Sequence, residues 1–120
     1  MLCVCRTRRE FFAALQVTSA FPHTCVEIWE LRDGAYTLQT SQYLDQPLMV
    51  FTFPAGLGED LTSVVVNSTK PVAVFSGHSC ANVPQRVGYC DCMFEQIPPV
   101  SELGLTHIAP PIIGRDPDAG

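Results

Sequence analysis

The strongest constraint on the fold is the run TCVEIWELRDGAYTLQT, Thr24 to Thr40. Val26 and Ile28 alternate with Cys25, Glu27, Trp29 and Leu31, a period of two that only an extended strand turns into two distinct faces. Asp33-Gly34 then interrupts the alternation with a dipeptide that tolerates positive φ at both positions. That is the signature of a two-residue hairpin turn, and it pairs Cys25–Leu31 with Ala35–Thr40.

Further strands follow from the same reading. PLMVFTF places Met49, Phe51 and Phe53 on one side and is broken by PAGLGED, with Pro54, Gly56 and Gly58. LTSVVV and PVAVF are apolar on both faces, so a second layer should cover them. A turn at Ser68-Thr69 would pair Leu61–Val66 with Pro71–Phe75. Phe11, Phe12 and Leu15 fall at helical spacing, which predicts a short helix over Arg6–Leu15. Met93–Ile97 is a short mixed run. The expected class is all-β, antiparallel sheets of short strands, either a sandwich or a propeller-like stack. Residues 1–14 read as an irregular or short helical segment, 15–113 as a partial β domain, and 114–120 as a polar tail. A chain of 120 residues is short of partners for its two-faced strands, so it should be part of a longer domain.

Charge excludes one class of partner. The chain carries 7 basic and 12 acidic residues, and its only basic cluster is Arg6, Arg8 and Arg9. No stripe of positive charge exists to meet phosphates, so nucleic acid is not an expected partner. No apolar run is long enough to cross a membrane as a helix. The opening MLCVCRTRRE lacks the order of a signal peptide, so an export signal is expected elsewhere.

Six cysteines in a β-rich chain point to an oxidising compartment, with fifteen full pairings possible. Three of them crowd into one region with His78 and Asp91, which admits three chemistries. Ser76, His78, Cys80 and Asp91 contain the types of a hydrolase triad, but residues spaced by two on a strand are about 7 Å apart, too far for direct proton transfer. His78, Cys80, Cys90 and Cys92 are types that zinc accepts, yet His-x-Cys and Cys-x-Cys are too tight for the usual knuckle. The third reading is structural. Cys80 and Cys90 bracket ANVPQRVGY, a loop with little apolar anchorage, and a disulfide there would staple it. Cys92 is then left to Cys25, Cys3, Cys5 or another chain. The staple reading is preferred, and with it no catalytic residue, metal or cofactor is assigned.

These same residues carry a resemblance. STKPVAVFSGHSCANVP, followed by YCDCMFEQIPPVSELG, resembles the N-terminal domain of the IgGFc-binding protein family. The shared elements are Lys70–Phe75, Gly77-His78-Ser79-Cys80, Asn82-Val83-Pro84, Cys90-Asp91 and Glu95–Pro99. The likeness is specific over Leu61–Gly104, looser over Leu15–Asp60, and covers part of a longer domain. It implies a secreted, β-rich, non-enzymatic module of mucus-type and adhesive proteins, with IgG Fc or other extracellular proteins and glycoproteins as partners. Cys92 departs from the family, which commonly has His after Cys-Asp.

The residues expected to contact a partner are those of the stapled loop, Asn82, Val83, Pro84, Gln85 and Arg86, together with Glu95 and Gln96 before Pro98-Pro99. Asn67-Ser68-Thr69 is a glycosylation sequon in an expected turn. Trp29 reads as sheet-face packing. His23 and His107 have no partner in the sequence.

Overall fold

A computed structural model describes residues 13–56, 61–82, 88–108 and 110. Among the described residues seven strands run in chain order: β1 Ala13–Ser19, β2 Thr24–Arg32, β3 Ala35–Leu44, β4 Val50–Pro54, β5 Val65–Ser68, β6 Val72–Ala81 and β7 Asp91–Ile97. A 3-10 turn at Val100–Glu102 follows. All pairings are antiparallel. They form a four-stranded sheet in the order β4-β1-β6-β7 and a three-stranded sheet in the order β3-β2-β5.

The two sheets share one core, so the sandwich rather than the propeller-like stack is the architecture. Val17 from β1 meets Val26 and Ile28 from β2 and Leu44 from β3, with Phe51, Phe53, Val64, Val66, Val72 and Val74 packed around them. Val17, Val26 and Ile28 are fully buried, whereas Cys25 and Leu31 on the opposite face of β2 are exposed. The period of two therefore decided the buried face correctly.

The hairpin expected at Asp33-Gly34 is present, with Glu30 opposite Thr37 and Leu31 opposite Tyr36. Asp33 has φ 52 and Gly34 φ 82, the pair of positive values that a type I′ turn requires. A bulge between Ile28 and Trp29 shifts the register farther along.

Two expectations are corrected. Of the helix expected over Arg6–Leu15, residues 6–12 lie outside the described residues, and Ala13–Leu15 begin β1. Leu15, Val17 and Ser19 point to the core at a period of two, and pairing with both β4 and β6 overrides the helical spacing of three side chains. The second correction concerns β5 and β6, which do not form a hairpin. β5 pairs with β2, and β6 with β1 and β7.

The cause of that second departure is visible in the connection. The Thr69 N–H donates to the Cys25 carbonyl at 3.0 Å, and the Cys25 N–H donates to Thr69 Oγ1 at 3.0 Å. The chain thus stays on β2 to the end of β5. Ser68 Oγ donates to the Lys70 carbonyl at 2.8 Å, and Pro71 has no N–H to offer a returning ladder. The segment arches to the opposite sheet instead. The strand expected at Leu61–Val66 is also shorter, because the Val64 N–H closes a turn on the Leu61 carbonyl and Ser63 takes φ 70.

A polar pair anchors the opposite end. Ser19 and Thr24 are fully buried. Ser19 Oγ donates to the Gln46 carbonyl at 2.8 Å and accepts from the Met49 N–H at 3.2 Å, while Thr24 Oγ1 donates to the Phe21 carbonyl at 2.8 Å. Each buried hydroxyl has its partner, which removes the cost of burying it.

Candidate binding surface

The region that concentrates the chemistry-bearing residues is the far end of β6 and its return through β7. Here the ladder is irregular. His78 stands opposite Met93 and Ala81 opposite Asp91, so Ser79 and Cys80 bulge from the pairing between them. Cys80 is buried and forms a disulfide with Cys90, the α-carbons 5.0 Å apart. That separation is ordinary for a disulfide. The Asn82 side-chain amide donates to the Tyr89 carbonyl at 3.0 Å, a second tie across the base of the loop. Val83, Pro84, Gln85 and Arg86 lie outside the described residues. Two of the three cysteines crowded around His78 and Asp91, Cys80 and Cys90, are therefore a staple.

The other cysteines divide differently from one another. Cys92 is disulfide-bonded and Cys25 is a free, exposed thiol, so Cys25 is not the partner of Cys92.

This arrangement takes thiols from both reactive alternatives, that of Cys80 from the hydrolase and those of Cys80, Cys90 and Cys92 from the zinc site. The Cys80 N–H donates to His78 Nδ1 at 3.0 Å, so that ring nitrogen already accepts a backbone proton. Asp91 Oδ1 accepts from the Cys92 N–H at 2.8 Å. Cys80 has no thiol to activate, because its sulfur is shared with Cys90. For zinc, Cys80, Cys90 and Cys92 are all oxidised, and among the described residues no group of three His, Cys, Asp or Glu is placed to hold a metal.

Glu95 and Gln96 belong to β7, an edge strand of the four-stranded sheet. Glu95 stands opposite Ser76 and Gln96 opposite Phe75. Successive residues of a strand face opposite sides, so the two do not form a joint contact. Asn67 is exposed on β5, opposite Glu27, on the edge of the smaller sheet rather than in a turn. Trp29 is half-buried on the outer face of β2, and its indole N–H donates to Glu27 Oε2 at 3.1 Å. It packs on the sheet face, as its neighbours indicated. His23, for which the sequence offered no partner, hydrogen-bonds through Nδ1 to the Tyr43 hydroxyl at 2.7 Å.

Sequence reasoning missed a groove beside β7. The four-stranded sheet lies over a three-stranded one. Val17 of β1 packs with Val26 and Ile28 of β2, and no residue of β7 belongs to the buried core cluster. Ile97 is paired with Val74, which faces the core, yet Ile97 remains 44% exposed. Two cavities of about 700 and 680 Å³ run along this side and share Leu61, Ser76 and Ile97. The first is apolar, between Val66 of β5 and Val74 of β6, and Pro98 and Pro99 also line it. The second is lined by His78, Met93 and Glu95. The legible signal was the two-faced apolar character of β5 and β6, which demanded more cover than the described residues provide.

No helix among the described residues is long and apolar enough to cross a membrane. No solved structure matches the chain significantly. Over 56 residues, 47% of its length, the chain is 38% identical to the human protein described as IgGFc-binding protein, of which it spans 1%. The family model described as IgGFc binding protein matches residues 15–119, and the chain belongs to that family.

Proposed function

We propose that this chain is an extracellular, non-enzymatic binding module that presents a surface to another protein or glycoprotein. The observation that carries this reading is the oxidised staple, Cys80–Cys90, set at the end of a β-sandwich in a chain matched to the family over residues 15–119. A disulfide is stable where thiols are oxidised, which supports a secreted location. A loop held on a rigid sheet loses little entropy on contact, which is how binding loops are commonly displayed. The loop Asn82–Arg86 is the proposed contact region, with Glu95 and Gln96 proposed as further contacts along β7. Asn67, exposed on an edge strand, is the proposed glycan acceptor.

IgG Fc is the first candidate ligand, supplied by the name of the human relative. The test is the oxidised chain immobilised and challenged with Fc and with mucus glycoproteins. Saturable binding of either, lost on reduction, supports the reading. Absence of binding to both, with a hydrolytic activity that disappears in His78→Ala, would overturn it.

A further inference from the structure

Given Asn67 as the glycan acceptor, the reading on which this rests, we propose that the first sugar of that glycan stacks on the indole of Trp29. The chain itself names the occupant, because Asn67-Ser68-Thr69 is a sequon and N-acetylglucosamine is the sugar a sequon receives.

The strand register brings acceptor and platform together. Glu27 stands opposite Asn67 and Trp29 opposite Val65 in an uninterrupted stretch of the β2–β5 ladder. Partners in register share a face of the sheet, and residues two apart on one strand share it too. Asn67, Glu27, Trp29 and Val65 are thus the four corners of one patch on the outer face, away from the buried Val26 and Ile28. Diagonal neighbours such as Asn67 and Trp29 lie roughly 7–8 Å apart, within reach of an aromatic ring. Asn67 is exposed and Trp29 half-buried.

The side chains at these corners match the chemistry of the sugar. The Trp29 indole N–H donates to Glu27 Oε2 at 3.1 Å, which draws the ring toward the row that Asn67 shares. N-acetylglucosamine joined through its β-anomeric carbon turns three axial C–H bonds to one side, an apolar surface suited to the electron-rich face of an indole. The hydroxyl and acetamido groups at its rim need acceptors, and the Glu27 carboxylate lies directly across from Asn67. Cys25 is the other diagonal neighbour, but a thiol offers neither a flat apolar face nor a strong acceptor.

The hydrogen bonds of Thr69 set the order of events. Its N–H donates to the Cys25 carbonyl and its Oγ1 accepts from the Cys25 N–H, both at 3.0 Å. The sequon hydroxyl is therefore held against β2 in the folded chain, and transfer must precede the pairing of β5 with β2. In that step the Asn67 amide nitrogen bonds to the anomeric carbon of the sugar, the bond from that carbon to a lipid pyrophosphate breaks, and one amide proton leaves. When β5 then pairs with β2, the sugar arrives on the face that holds Trp29.

Trp29 is the only tryptophan of the chain, so its fluorescence reads the contact directly. The full chain from a secretory host is compared in three forms: intact, trimmed enzymatically to the first N-acetylglucosamine, and unglycosylated as Asn67→Gln. Quenching by acrylamide should be equal in the first two and rise about twofold in the third, since one of the two indole faces is then uncovered. In the trimmed form the axial sugar protons should shift upfield in the ring current, and Trp29→Leu should abolish that shift. Tyr36→Leu, on the same face but beside Leu31, should leave it in place. Equal quenching in all three forms, protection lost on trimming, or sugar shifts that survive Trp29→Leu would overturn the contact and leave Asn67 an acceptor. An unmodified Asn67 would overturn both the acceptor reading and the contact.

Discussion

Phe94 lies across Gly77. The two stand opposite one another in the β6–β7 ladder, and a β-carbon on Gly77 would sit 3.1 Å from the Phe94 ring and 2.6 Å from the Met93 carbonyl oxygen. The same ring stacks on Phe75, centroids 5.1 Å apart and planes within 6°. The glycine thus permits an aromatic pair to cover the outer face of the sheet beside the stapled loop, much as aromatic residues compensate strand glycines elsewhere.

Gly77→Ala should therefore destabilise the protein. The contact is with backbone, so β6 and β7 must separate, at a cost of about 1–3 kcal/mol. Gly88→Ala is the control, because a β-carbon there meets nothing within 4 Å. Urea unfolding of the two variants checks the contrast, and equal midpoints would refute the close approach.

The staple is testable by removal. In the chain-entropy model, a ring closed between residues ten apart in sequence is worth about 3 kcal/mol. The double substitution Cys80→Ser and Cys90→Ser should lower the unfolding midpoint accordingly. Peptide mapping of the unreduced protein should recover the residues around both cysteines as one linked species. Recovery of both as free thiols from oxidising conditions would contradict it.

The two faces of β2 give a matched pair. Ile28 is fully buried and Leu31 is 42% exposed, three residues away on the same strand. Ile28→Ala should cost about 2–5 kcal/mol. Leu31→Ala should stay within about 0.5 kcal/mol. A one-residue slip of register would bring the costs together, so thermal unfolding of both variants reads the register directly.

What the sequence made legible was local. Asp33-Gly34 specified its turn because the dihedral preference resides in those two residues, and Val26 and Ile28 revealed the buried face because alternation is a property of one strand. Cys80 and Cys90 were readable as a pair because the intervening loop had so little else to hold it. What stayed hidden depends on partners distant in the chain. β1 occupies the centre of its sheet, yet Ala13–Ser19 has only Leu15 and Val17 as large apolar residues to announce it. Whether β5 pairs with β6 or with β2 is decided by Thr69 meeting Cys25, a contact between residues far apart in sequence. The groove was hidden for the same reason, since an uncovered face exists only once both sheets are assembled.

Glycosylation at Asn67 has a simple readout. The side chain is exposed on an edge strand, with room for a glycan. Material made in a secretory host should lose mass on enzymatic deglycosylation, and Asn67→Gln should abolish that loss. An unmodified Asn67 in such material would defeat the assignment.

The arch between β5 and β6 makes the most demanding prediction, because a hairpin was the simpler reading of the same residues. Glu27 and Asn67 stand directly opposite in the β2–β5 ladder, with their side chains on one face. Asn67→Lys should therefore place an ammonium beside the Glu27 carboxylate, which already accepts from the Trp29 indole at 3.1 Å. Cross-strand charge pairs of this kind contribute about 0.2–1 kcal/mol. The pair must be isolated by a double-mutant cycle with Glu27→Gln, since that substitution alone also perturbs the indole bond. If β5 pairs with β2, Asn67→Lys stabilises the protein in the Glu27 background and loses that gain in the Gln background, and added salt erodes the difference. If β5 instead folded back on β6, the introduced ammonium would have no carboxylate opposite it and the coupling would vanish. Coupling indistinguishable from zero at low salt would sink the observed topology.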